Sequence, residues 1–393
     1  MSKLVITRWN GHLLTAMFEG EEAVELAIEE QDSILGNIYI GKVRNIVKNL
    51  NSAFVDFGDN RTGYYSLVDN PQPLFADGSS GKLKAGDEII VQVEKDAVRS
   101  KDPVLSSNLN FTGQYAVLTA AKQQIGFSGK IADKVWKERI RPQLEALTGG
   151  MIGLIVRTNA YQMEERLYAE VKTLIRQYQE VLEKARYRTC FSVLYEAEPG
   201  YLKSLRSCPE GTVDEIITDD DTVFDNINHY LALYQPTESG KLRRYTDPMI
   251  RLASLYSLDA VMDQARQKRV WLRSGGYLVI EPTEAMVVID VNTGKYSGKK
   301  NLEDTIRLTN LEAAKEICRQ LRLRNLSGII MVDFIDMKAE ADKELLMNTL
   351  RRYAAQDPVK VNVVEMTQLN LVEMTRKKGK KPLWEQLLKA GLS

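Results

Sequence analysis

Two runs of almost unbroken apolar residues, Met286-Val287-Val288-Ile289-Asp290-Val291 and Ile329-Ile330-Met331-Val332-Asp333-Phe334, flank a helical pattern over 302–325. Leu302, Ile306, Ala313, Ile317 and Leu321 fall on one face of that helix, and Gly328 stands where it should stop. Strand, helix, strand in this order is the unit of parallel pairing, because strands running the same way need a crossover between them. As neighbours the two strands would lie about 4.8 Å apart. Asp290 and Asp333, each near a C-terminal strand end, would then emerge together where α/β sites form. Carboxylates that close repel unless a cation sits between them. Hard oxygen ligands favour magnesium or manganese, held with several waters and completed by a substrate phosphate. Asn292 projects from the same strand face as Asp290, placing its amide to orient a phosphate or a metal-bound water. A single aspartate ending a strand is commonly a turn or cap residue. Two at matching ends of apolar strands read as a site. Asp336, just before a second helix expected over 339–355, reads as its N-cap.

Composition narrows the chemistry. The chain has only two histidines, His12 and His229, in separate segments, so hydrolysis run by paired imidazoles is improbable and carboxylates with a metal must carry it. The 53 basic and 53 acidic residues cancel, so positive charge for an anionic partner must be gathered locally. Cys190, Cys208 and Cys318 stand far apart, without the spacing of a disulfide framework or a thiolate zinc site. The first ten residues lack a signal-peptide pattern, and no window approaches 18 uninterrupted apolar residues; the expectation is a cytoplasmic protein without a membrane span. A length of 393 residues suggests two to four compact units.

Residues 1–32 read as short antiparallel strands. Strand-like runs at 36–43, 52–57, 61–65 and 88–93, with turn signals between, suggest a small closed barrel of the OB (oligonucleotide-binding) type. Such barrels stack bases on exposed aromatics over a basic groove. Phe54, Phe57, Tyr64 and Tyr65 are the candidate aromatics, some of which must be core by alternation, with Arg61 and Lys101 as basic candidates. A strand at 153–158 runs into an amphipathic helix through Leu167, Val171, Leu174, Ile175, Tyr178, Val181 and Leu182. Arg157-Thr158 is suited to clamp a phosphate. An acidic stretch occupies 219–221, a further strand is expected over 359–366, and the run 376–381 is basic.

Six segments resemble motifs of the ribonuclease E/G family, in family order: Ala53-Phe54-Val55-Asp56-Phe57-Gly58, Leu154-Ile155-Val156-Arg157-Thr158, Pro282-Thr283-Glu284-Ala285, Ile289-Asp290-Val291-Asn292, Thr309-Asn310-Leu311-Glu312-Ala313-Ala314 and Val332-Asp333-Phe334-Ile335-Asp336-Met337. The resemblance covers nearly the whole chain. It implies an α+β architecture of several subdomains: a ribonuclease H-like subdomain from 1–32 and 202–265, an inserted OB-fold RNA-binding barrel at 33–107, a 5′-phosphate sensor subdomain at 108–201, and a deoxyribonuclease I-like α/β catalytic subdomain at 266–393 with a basic C-terminal tail. It implies magnesium-dependent hydrolysis of single-stranded, AU-rich RNA to 5′-phosphate and 3′-hydroxyl ends, in rRNA and mRNA processing and decay. By motif, Asp290 and Asp333 would hold magnesium (manganese as the alternative), with Asn292 on the scissile phosphate or its attacking water. Phe54, Tyr64 and Lys101 would contact RNA. Arg157 and Thr158 would bind the 5′-monophosphate, in a pocket shaped by Gly113 and Val117.

The departures from the family pattern are specific. No cysteine follows Trp384 through Ser393, where the family carries a CPxC pair that shares zinc between two chains, so no zinc is expected and any homodimer would form without that link. Gly129-Lys130 and Lys360 stand where sensor arginines are expected, and lysine lacks the bidentate fork. The rival readings are a non-catalytic RNA-binding protein on the same scaffold and a deoxyribonuclease.

Overall fold

The computed structural model describes residues 1–30, 33–97, 101–120, 123–208, 210–294 and 302–392, apart from the side chain of Ser207. The expected subdomain boundary at 32 lies outside the described residues. The chain forms two compact units, Met1–Gln31 with Gly200–Ser393, and Asp32–Pro199. Among the described residues no helix is long and apolar enough to cross a membrane.

The first unit holds two sheets. One runs in the order Leu242–Arg244, Glu215–Thr218, Ser2–Trp9, His12–Glu19 and Glu22–Ile28. The N-terminal strands pair antiparallel, and Ser2–Trp9 pairs parallel with Glu215–Thr218. The acidic stretch is consumed here: Asp219 accepts from the Thr7 hydroxyl at 2.9 Å, Asp220 caps helix Asp221–Tyr234, and Asp221 pairs with Arg244 at 3.2 Å.

The other sheet runs Arg269–Trp271, Tyr277–Pro282, Met286–Asn292, Gly328–Asp333, Leu371–Arg376 and Val361–Met366. Met286–Asn292 and Gly328–Asp333 pair parallel, as their connecting helix predicts. That helix spans Leu302–Leu323, and with helix Glu340–Ala354 it covers one face of the sheet. Leu278, Ile289, Val332 and Val372 face Ala313, Ile317, Leu321, Leu346 and Leu350. Burying the Leu, Ile and Val side chains among these contributes about 1.5–3 kcal/mol each against an extended reference, an upper bound.

Three expectations need correction. Leu302 is solvent-exposed, because the first turns of its helix bury Thr305, Thr309 and Asn310 instead. The helix ends at Leu323, and left-handed Asn325 redirects the chain. Gly328, at φ +96°, opens the following strand rather than stopping the helix. Val288 and Ile329 are exposed, because among the described residues helices pack on one side of the sheet only.

In the second unit, Ile38–Val47, Ser52–Phe57, Arg61–Ser66, Val104–Ser106 and Glu88–Lys95 close into a five-stranded barrel, the last strand pairing back to the first. Only Arg61–Ser66 with Val104–Ser106 is parallel, an order consistent with the OB type. A four-stranded sheet follows, ordered Ile125–Phe127, Gly153–Val156, Ala116–Thr119 and Asn110–Thr112. Helices Lys134–Thr148 and Glu164–Ala185 share its core.

Candidate functional site

Asp290 and Asp333 are direct register partners at the ends of the parallel pair, both exposed on the uncovered sheet face. Asn292, two residues on, donates its side-chain N–H to Asp290 Oδ2 at 2.6 Å. Among the described residues neither aspartate has a basic side chain within ion-pair reach. Partial burial, then the charges of Asp290 and Asp336, push the Asp333 carboxyl above its ordinary value. Asp336 is not the N-cap expected of it. Ala339 holds that position without a side-chain cap, and Asp336 accepts from the Asn370 amide at 3.0 Å.

A repelling carboxylate pair on an open face is the donor set of a cation that keeps most of its water and needs only one or two protein carboxylates. Among the described residues no three His, Cys, Asp or Glu side chains gather around a common point to form a closed cage. By the chemistry of their donors, Asp290 and Asp333 could hold a hydrated hard cation such as magnesium, with Asn292 hydrogen-bonded to Asp290.

Two polar side chains on the crossover helix, Asn310 buried and Glu312 partly exposed, fix this geometry. Asn310, fully buried on the crossover helix, donates to the Ile335 carbonyl at 2.7 Å and accepts from its N–H at 3.1 Å. It thereby anchors the chain just beyond Asp333. Glu312 accepts the backbone N–H groups of Arg273 at 2.7 Å and Ser274 at 3.1 Å, holding the turn before Tyr277–Pro282. At that turn Gly276 comes so close to the Asn292 carbonyl that a Cβ would stand 2.7 Å from it.

In the barrel, alternation sorts the aromatics. Phe57 and Tyr65 are fully buried, with the Tyr65 hydroxyl donating to Ser107 Oγ at 2.9 Å. Phe54 and Tyr64 are register partners on the outer face, partly exposed, their ring centroids 6.3 Å apart. Lys101 is exposed, two residues before Pro103, whose carbonyl accepts the Tyr64 N–H at 2.8 Å. Arg61 pairs only loosely with Asp59, at 3.8 Å.

On the four-stranded sheet, Arg157 donates to the Gly113 carbonyl at 2.6 Å, and the Thr158 and Ser128 hydroxyls lie 2.9 Å apart. Val117 is half-buried beside Ile155 and Thr112. Buried Glu170 accepts from the N–H groups of Gln114, Tyr115 and Ala116 at 2.7, 2.8 and 2.9 Å, fixing the turn after Gly113. A Cβ on Gly113 would stand 2.2 Å from Glu170 Oε1, so only glycine fits. Gly113, Val117, Arg157 and Thr158 thus gather in one unit, whereas Lys360 belongs to the other, exposed before Val361–Met366.

The Ribonuclease E/G family profile matches residues 110–379. The chain is 32% identical to a ribonuclease G of Salmonella typhimurium over 370 residues, covering 91% of this chain and 75% of that protein. The chain belongs to the ribonuclease E/G family. It is also 34% identical to a ribonuclease G of Haemophilus influenzae over 374 residues, 91% of this chain and 76% of that protein. Against a ribonuclease E of Nostoc sp. the identity is 31% over 381 residues, 95% of this chain but 56% of that protein's length.

Within this ribonuclease E/G chain, sequence reasoning left Asn310, Glu312 and Glu170 without roles, though a signal existed. Asn310 and Glu170 each lie in the apolar stripe of an amphipathic helix, where a polar side chain demands a partner. The basic run 376–381 is not a free tail. Arg376 ends a strand, buried against Asp357 at 2.8 Å, while Lys380 pairs with Glu25 and Lys381 with Glu30. The short helix Leu383–Lys389 packs Leu383 and Leu387 beside Leu26 and Ile28.

Proposed function

We propose that this protein is an endoribonuclease of RNA processing that hydrolyses single-stranded, AU-rich RNA in magnesium, leaving 5′-phosphate and 3′-hydroxyl ends. The observation carrying this reading is the register pairing of Asp290 with Asp333, beside Asn292, on an open sheet face. The ribonuclease names of its relatives support RNA as substrate. Magnesium bound there would activate a water and screen charge building on the phosphate. Asp290 and Asp333 hold the cation, and Asn292 orients Asp290 and reaches the scissile phosphate. Phe54 and Tyr64 stack bases, with Lys101 on the backbone. Arg157 and Thr158 take a 5′-monophosphate, presented over the turn that Glu170 fixes.

The test is a short AU-rich RNA carrying a 5′-monophosphate, incubated with the protein in magnesium and in EDTA, beside a DNA oligomer of the same sequence. Internal cuts in RNA only, dependent on magnesium and leaving 5′-phosphates, are the expected result. Tight RNA binding without cleavage would replace the enzyme by a binding scaffold, and equal cutting of DNA would overturn the substrate class.

A further inference from the structure

Register partners on neighbouring strands share a sheet face, so one face of the catalytic sheet can be read row by row. One row runs Arg269, Val279, Asp290, Asp333; the next runs Trp271, Tyr277, Asn292. Arg269, Trp271 and Tyr277 therefore stand on the same uncovered face as the carboxylates. Tyr277 is the direct neighbour of Asn292, and Trp271 lies two strands away, about 10 Å by sheet spacing.

The three side chains form a unit. The Trp271 and Tyr277 ring centroids are 5.3 Å apart, and the Arg269 guanidinium lies 4.5 Å from the Tyr277 ring centre and 5.8 Å from that of Trp271. Trp271 is 63% exposed, whereas Trp9 and Trp136 are buried and donate their indole N–H groups to Asp259 and Glu164. Among the described residues the Trp271 indole N–H has no acceptor. An exposed indole is not holding the fold. Beside a cation already stacked on aromatic rings, it offers a π-face to a base and positive charge to a phosphate.

We propose that Arg269, Trp271 and Tyr277 form a base-stacking platform that holds a nucleotide adjoining the scissile phosphate and so helps choose the cleavage site. The proposal rests on the endoribonuclease reading above. An unpaired base lies on Trp271, its phosphate faces Arg269, and Tyr277 braces both beside Asn292. Only single-stranded RNA can present a base in this way, since stacking on a protein ring requires a base free of its helix.

The experiment uses the full chain with Asp333→Asn, so that RNA binds uncut, and a short AU-rich RNA with a 5′-monophosphate. Trp271→Ala is expected to weaken binding about tenfold, and Trp271→Phe by less than about threefold. A scan of single abasic nucleotides is expected to find one position where base removal and Trp271→Ala are not additive. In the active enzyme, Trp271→Ala is expected to shift the distribution of cut sites. Unchanged affinity, or additive losses at every abasic position, would overturn the platform while leaving the endoribonuclease reading intact. A change in self-association with unaltered RNA affinity would make Trp271 a protein contact instead. Failure of the unsubstituted chain both to cut and to bind RNA would remove the parent reading and the platform together.

Discussion

Asp290 and Asp333 face each other in register across one parallel strand pair, and the amide of Asn292 is the hydrogen-bond donor seen at Asp290. This arrangement is costly without a cation. Burial and two neighbouring carboxylates raise the Asp333 pKa in the folded state, so the fold holds that proton to a higher pH than the unfolded chain does. Metal-free stability therefore falls as pH rises through the folded value. Asp333→Asn should abolish magnesium-dependent cleavage yet leave RNA binding intact. Near neutral pH it should raise the metal-free thermal midpoint by about 1–2 °C, a gap that closes in acid. Thermal melts with and without magnesium, beside cleavage assays, check both halves; wild-type cleavage by the variant would sink the two-carboxylate assignment.

Asn310 tests whether the strand end must be held. Asn310→Leu keeps the branched heavy-atom skeleton, with bulkier methyl groups, but leaves the Ile335 N–H and carbonyl without partners, at a cost of about 1–3 kcal/mol. A small displacement of Asp333 should lower the cleavage rate at saturating RNA about tenfold or more, with little change in KM. Full-rate cleavage by the folded variant would detach Asn310 from the chemistry.

These two cases also show what was legible in the sequence. The paired aspartates were, because near-continuous apolar runs and a crossover helix impose both pairing and direction. The barrel was, because turn residues punctuate its strands. Strand Leu371–Arg376 was not. Its outward positions Glu373 and Thr375 dilute the apolar pattern, and buried Arg376 is disguised by the basic run that follows. Trp271 was equally hidden, since nothing in its three-residue strand says which sheet it edges. Glu170 and Asn310 required asking why a polar residue interrupts an apolar stripe.

The barrel makes a paired prediction. Phe54→Ala should weaken RNA binding by about 1–3 kcal/mol with the thermal midpoint nearly unchanged, because its ring is on the outer face. Phe57→Ala should cost about 3–5 kcal/mol of stability, because that ring is in the core. Binding titrations and denaturant melts on both variants separate the roles, and the reverse pattern would invert the assignment.

Gly113 has no room for a methyl group against Glu170, so Gly113→Ala must displace the turn that faces Arg157. If that turn presents a 5′-monophosphate, the variant should lose the preference for 5′-monophosphorylated over 5′-hydroxyl RNA while cutting the hydroxyl form at the original rate. Comparing the two rates within one preparation makes folding losses cancel. A preserved preference would place 5′-end recognition elsewhere.

The basic run at 376–381 invites assignment to RNA, and its pairing argues otherwise. Arg376 is 4% exposed, and besides Asp357 it donates to Asn325 Oδ1 at 2.8 Å and to the Leu326 carbonyl at 3.2 Å. Arg376→Met should therefore destabilise the fold by about 3–5 kcal/mol, chiefly because Asp357 is left buried and unpaired. Adding Asp357→Leu should restore much of the loss by removing the orphaned charge. Lys381 and Lys389 hold Glu30 between them at 2.9 and 3.1 Å, and although burial works against it they keep that carboxyl below its ordinary value. Their stabilisation is present above the unfolded pKa of Glu30 and lost as pH falls through the lower folded value. Lys381→Met should thus lower stability slightly at neutral pH and leave RNA affinity and its salt dependence unchanged. A clear fall in the salt dependence would return the run to the RNA interface.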